Sequence, residues 1–106
     1  MEDLKQLFAE IKNKHVLLIG DIYLDEYIYG EMNQIAAEGP YPVVHSNRRI
    51  SVPSAAGHAA ILMKGFGLQV HLLGIVGKDA NGLEAIRLLR EKGVDTSGML
   101  VDPSFT

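Results

Sequence analysis

Apolar residues recur along this chain in three patterns, and the changes of pattern divide it into elements. Leu4, Leu7, Phe8 and Ile11 follow the i, i+3, i+4, i+7 spacing of one helix face, and Asp3 with Gln6 has the form of a capping box, so an opening helix is predicted. The run His15 to Ile19 has the length and character of a buried strand. From Ile22 to Tyr29 the pattern alternates: Tyr23, Asp25, Tyr27 and Tyr29 fall on one side, Ile22, Leu24 and Ile28 mostly on the other. Residues 31–42 are read as irregular, because Pro40 and Pro42 interrupt pairing, and Val43 to Val52 is extended again. The two extended pieces predict a small antiparallel flap outside the main sheet, with segments at about 22–31 and 41–52.

Beyond the flap the period returns to 3.6. Pro53-Ser54 punctuates the chain, Ser54 is placed to cap a helix from Ala55 to about Phe66, and Gly67 to end it. A strand follows from Val70 to Val76. It leads through Gly77 to Asp79, the expected cap of a second helix on which Leu83, Ile86, Leu89 and Arg90 keep helical spacing until Lys92-Gly93. A last short strand is expected near Met99 to Val101. The order β, flap, α, β, α, β argues for right-handed crossovers and a parallel sheet.

Composition narrows the class. At 106 residues the chain is read as a single domain, 1–106, and 47% hydrophobic with 22% charged residues is the balance of a soluble globular protein. No apolar run approaches the roughly 20 residues that cross a bilayer, and the charged N-terminus carries no visible secretory signal, so no membrane partner and a cytoplasmic location are expected. There are no cysteines, which excludes disulfides and thiolate metal sites. A formal charge of -3 gives no general attraction for nucleic acid, and the Arg48-Arg49 doublet is read as a solvated strand end.

The candidate chemistry is sparse. Gly74 to Asp79 has too few residues between its glycines for a phosphate loop and an Asp where Ser or Thr is needed; Gly65-Phe66-Gly67 falls at a helix exit and lacks the third glycine of a dinucleotide fingerprint. His15, His45, His58 and His71 are dispersed, with no paired spacing on a helix and no evident carboxylate companion, so no metal site is predicted. His58 stands apart because it falls in the first turn of a helix, where backbone N–H groups face outward. It is read either as a histidine bonded to local backbone or as a ligand contact. Asp25 is either a solvated charge on a flap strand or the acceptor that holds vicinal sugar hydroxyls, with neighbouring tyrosines covering an apolar ring face. Asp21, directly after Gly20, either fixes the strand end or joins a binding site.

Five segments in order carry a resemblance to a known family: GDIYLDEYIYG at 20–30, IAAEGPYPVV at 35–44, SAAGHAAILMKGFG at 54–67, LLGIVGKDANG at 72–82 and LREKGVDTSGM at 89–99. Together they resemble the N-terminal third of ribokinase-like carbohydrate kinases, the phosphofructokinase-B family, and in particular the heptose 7-phosphate kinase module of ADP-heptose synthesis. The resemblance implies an α/β fold: a partial ribokinase-like (Rossmann-like) parallel sheet with a small antiparallel β lid that covers the sugar and often builds a dimer. In that family the Asp matching Asp25 bonds sugar hydroxyls. The lid around 38–44 closes over the site, and Gly77 and Asp79 match a loop near the substrate. Where the family carries a Gly-Gly pair and an Asn, this chain has Ser54, Ala55 and His58.

The substrate-binding candidates are therefore Asp25, His58, Ser54, Ala55 and Asp21, and the partner a sugar or sugar phosphate. The family's Gly-Ala-Gly-Asp segment, which supplies the anion hole and the catalytic base, and its ATP pocket are not found in these 106 residues. No catalytic or cofactor-binding residue is assigned, ATP and magnesium are expected only in a longer parent, and the chain alone is expected to be inactive as a kinase. A homo-oligomer through the lid is expected because unpaired strand edges and two apolar lid faces invite association. The alternative is a non-catalytic binding or oligomerisation module derived from such a kinase.

Overall fold

The computed structural model describes residues 2–105, apart from the side chain of Asn33. Helix α1 (Glu2–Ile11) forms on the predicted stripe, yet it buries no residue; Phe8 instead stacks on Phe66, ring centroids 5.6 Å apart. Asp3 lies inside the first turn and is not its cap. Asn13 turns the chain out of the helix at φ 66°, a conformation its short amide side chain tolerates, and donates its N–H to the Gly67 carbonyl at 2.8 Å.

Strand β1 (His15–Ile19) pairs in parallel with β4 (Gln69–Leu73), matching Val16 to Val70 and Leu18 to Leu72. Because side chains alternate across a strand, these four share the face that meets the helices, whereas Leu17 and Ile19 on the other face are 60% and 70% exposed. Helices α2 (Ala56–Gly65) and α3 (Ala80–Glu91) cover the inner face, and the core is Ala60, Val70, Leu72, Leu89 and Val94, with Leu18, Ile22, Ile61 and Met99 packed around it.

The strand expected over 70–76 is broken. Gly74 separates β4 from β5 (Ile75–Gly77), and β5 turns away from β1 and pairs in parallel with β6 (Leu100–Asp102). The reason is crowding: a Cβ at position 74 would stand 2.6 Å from Ile22 Cδ1 and 2.8 Å from the Gly20 carbonyl oxygen, so only glycine lets the chain cross there and change partner. The parallel pairing is thus present as two short ladders instead of one continuous sheet.

The lid is longer than its alternating pattern indicates. Strands β2 (Ile22–Ile35) and β3 (Pro42–Ala55) pair antiparallel over 14 residues each. Of the stretch read as irregular over 31–42, residues 36–41 form the turn between the strands while 31–35 and Pro42 belong to the ladder, with register shifts at Tyr29/Gly30 and Glu31/Gln34; a two-stranded ribbon leaves outward-facing edges on which Pro42 and Pro53 are tolerated. Arg48 and Arg49 lie within β3, not at a strand end: Arg48 stacks over Tyr29 at 4.7 Å, and Arg49 meets Glu26 at 3.2 Å.

Of the two later helices, one starts as expected and one is corrected. Asp79 caps α3, its Oδ1 accepting the Gly82 N–H at 2.7 Å, and Gly93 at φ 87° follows the helix as expected. Ser54 does not cap α2; it is the penultimate residue of β3, opposite Tyr23, and the N-cap is Ala55, which makes no side-chain cap bond. The Ala56 N–H is satisfied instead by the Asp21 carbonyl at 2.9 Å, which ties the helix start to the root of the lid.

Candidate functional site

The antiparallel register sets which residues share a face at the lid base. Tyr23 lies opposite Ser54, Asp25 opposite Val52 and Tyr27 opposite Ile50, so Asp25, the two tyrosines and Ser54 stand on one side, with Ile22, Leu24 and the buried Pro53 on the core side. This is the two-faced strand expected from the alternation. Tyr23 and Tyr27 are more than half exposed and leave broad aromatic surface beside the carboxylate.

At this point β3 runs into α2 through Ala55, whose φ of 55° and ψ of -126° belong to a region that glycine occupies freely and alanine does not. The turn brings His58, on the first turn of α2, to the mouth of the same hollow. Asp25, Ser54, Ala55 and His58 line one cavity of about 610 Å³, together with Tyr27 and Lys92. Four of the five expected binding residues are therefore gathered from two strands and a helix. The fifth, Asp21, lies in a second cavity of about 510 Å³ with Tyr23, Gly77 and Asp79, between the lid root and the start of α3.

Lys92 is the residue that sequence reasoning misses. In the sequence it reads as part of the stop signal of α3, and it is the C-cap of that helix. Folding brings this end of α3 against β3, so Lys92 lines the cavity that Asp25 also lines. Among the described residues no ion pair engages Asp25, His58 or Lys92. The hollow thus offers a carboxylate able to accept hydrogen bonds from hydroxyls, an imidazole, a cation, and an apolar wall that includes Val52 and Ile61. That combination suits a polyhydroxylated ligand carrying a negative group. The second cavity has two carboxylates, one of them committed to capping α3, and no cation among its lining residues.

The arrangement of a parallel α/β core with a two-stranded lid rooted at the sheet's carboxyl end is that of the ribokinase-like carbohydrate kinases. A solved structure of a protein from Agrobacterium tumefaciens described as a ribokinase superposes with a TM-score of 0.66 at 32% identity, over 84% of this chain and 28% of that one. Fructokinase from Xylella fastidiosa, at 18% identity, shares the fold with a TM-score of 0.65 over 87% of this chain and 26% of its own. The chain belongs to this ribokinase-like, phosphofructokinase-B family.

Within the family its sequence relatives include bifunctional HldE proteins and a D-beta-D-heptose 7-phosphate kinase. It is 40% identical over 87 residues to the bifunctional protein HldE of Magnetococcus marinus, covering 82% of this chain and 18% of that protein. It is 40% identical over 86 residues to the D-beta-D-heptose 7-phosphate kinase of Bordetella bronchiseptica, covering 81% of this chain and 28% of that one. The chain thus spans less than a third of the length of these relatives. No family profile matches the chain.

Proposed function

We propose that this chain is the N-terminal, acceptor-binding and lid portion of a sugar kinase that transfers the γ-phosphoryl group of ATP to a hydroxyl of a heptose phosphate. The observation that carries the reading is the single cavity lined by Asp25, His58 and Lys92 at the lid base. Asp25 accepts hydrogen bonds from adjacent hydroxyls, Tyr27 covers a ring face, His58 donates to a further oxygen, and Lys92 neutralises the phosphate the acceptor already carries. The sugar-phosphate kinases among the sequence relatives support the substrate class. Positioning and charge stabilisation dominate phosphoryl transfer, and the proposal assigns this chain the positioning share. ATP and magnesium belong to a longer parent, the 106-residue polypeptide alone does not turn over, two copies associate through the lid, and the parent works in the cytoplasm.

Titration calorimetry with heptose 7-phosphate tests the binding role. Hydrogen bonds to a charged group contribute about 1.5–3 kcal/mol, so Asp25→Asn is expected to weaken binding by about tenfold or more. Lys92→Ala is expected to remove the preference for the phosphorylated over the free sugar. Equal affinity of all three proteins would sink the proposal.

One observation favours the other reading, a binding module that has left catalysis behind. Ala55 occupies a glycine-type conformation, and its methyl stands where the family's second glycine lets backbone approach the sugar. Heptose 7-phosphate binding that is recovered only in an Ala55→Gly variant would support that reading over the first.

A further inference from the structure

We propose that His15 and His71 form a two-nitrogen site for a divalent transition ion of the zinc class, oriented by Asp95. The site lies on the face of the β1/β4 ladder opposite the core, away from the lid cavity. Fifty-six residues separate the two histidines in sequence, but the parallel register sets Leu17 beside His71 and so places His15 diagonally across from it on the same face. Their rings are 15° from coplanar, and His15 Nδ1 stands 2.9 Å from His71 Nε2.

Asp95 fixes which nitrogen of His71 faces outward. The segment after α3 runs alongside β4, its Asp95 N–H bonding the Val70 carbonyl at 3.0 Å and its carbonyl accepting the Leu72 N–H at 3.0 Å. Its carboxylate Oδ1 accepts the Ser97 N–H, and Oδ2 lies 2.8 Å from His71 Nδ1. An ionised carboxylate only accepts, so the proton sits on Nδ1 and the Nε2 lone pair is left pointing at His15. A carboxylate behind a histidine whose far nitrogen is free is the outer-shell arrangement that orients metal-bound imidazoles and raises their basicity.

In the metal-free chain His15 Nδ1–H satisfies that lone pair. Metal entry requires that the His15 proton move from Nδ1 to its Nε2 and that the two rings, now facing each other end to end, turn so that both neutral nitrogens converge on one ion. At zinc–nitrogen bonds of about 2.0–2.1 Å and a tetrahedral angle, the nitrogens stand about 3.3 Å apart, so the observed 2.9 Å opens by about 0.4 Å. In the 106-residue chain the His71 side chain is 41% exposed, where waters would complete the coordination shell. Among the described residues no three His, Cys, Asp or Glu side chains are arranged to hold an ion together, and with Asp95 bonded to His71 the protein supplies two donors. Imidazole donors favour zinc or copper over magnesium or calcium.

The test is a zinc titration of the tag-free chain followed by imidazole nitrogen and proton shifts. One equivalent is expected to move the signals of His15 and His71 and leave those of His45 and His58 in place, while magnesium moves none. His15→Gln and His71→Gln are each expected to lower zinc affinity by about tenfold or more, and Asp95→Asn, which keeps both ligands, by about 10–100-fold, with circular dichroism reporting the fold of each. Zinc shifts spread evenly over all four histidines, or undiminished affinity in His71→Gln, would overturn the site.

Discussion

Ala55 joins the lid to α2 with a backbone that suits glycine, and the cost falls on this one residue. Left-handed conformations cost a residue with a Cβ about 1–2 kcal/mol, and glycine returns part of that through a more flexible unfolded chain. Ala55→Gly is expected to stabilise the fold by about 1 kcal/mol, a rise of roughly 4–8 °C in melting temperature for a domain of this size. A calorimetric melting temperature that falls would show that Ala55 carries no strain. Asp95 offers a pH test. Its carboxyl is held at about 2, chiefly by the Ser97 backbone N–H, with the Ser97 side chain and His71 adding to it. A carboxyl depressed in the fold stabilises it above the ordinary carboxylate value, and that contribution is lost as pH falls through the folded value. Denaturation midpoints should therefore decline between about pH 4 and pH 2. Asp95→Asn should flatten part of the decline, Glu84 and Asp102, lowered by Arg87 and by Ser104, supplying the rest. An identical acid profile for the variant would refute this assignment. At this scale Asp25 is legible in the sequence because alternation alone fixes its face. Lys92 and the His15–His71 pair are not, since no local period reports where a helix end or a diagonal strand neighbour will lie.

Among the elements, the helices follow their spacing, α3 alone follows its predicted cap, and the lid outruns its alternating pattern. Asp79 signals the start of α3, and the bond it accepts from Gly82 makes Asp79→Ala cost about 1 kcal/mol, with Asp79→Asn nearly neutral, both readable in denaturant midpoints. An equal loss in the Asn variant would mean that charge, not capping, holds the helix. The start of α2 is misread because Ser54 looks like a cap while the strand pairing claims it. The lid's full length escapes because prolines and bulges mask a ladder that continues to Ile35 opposite Pro42. Gly74 likewise hides a change of strand partner inside an apparently continuous apolar run.

Viewed whole, the molecule is drawn out. Its Cα radius of gyration is 18.5 Å and its extents 60 × 41 × 19 Å, where a globular chain of this length has a radius near 13 Å. The excess is the lid, whose outer half exposes Met32, Ile35, Tyr41 and Val44, each by 45–76%. Those side chains and the ribbon's open edges support the proposed association between copies. Sedimentation is expected to show dimers in the unmodified chain and monomers in Ile35→Lys; a chain that stays monomeric at high concentration would remove the lid as an interface. The central claim concerns the hollow beneath that lid. Amide shift mapping during titration with heptose 7-phosphate addresses it most directly. The signals of Asp25, Ser54, His58 and Lys92 are expected to move together, and the unphosphorylated sugar is expected to move the first three without Lys92. Shifts centred on Asp21 and Gly77 instead, or none at millimolar ligand, would contradict it.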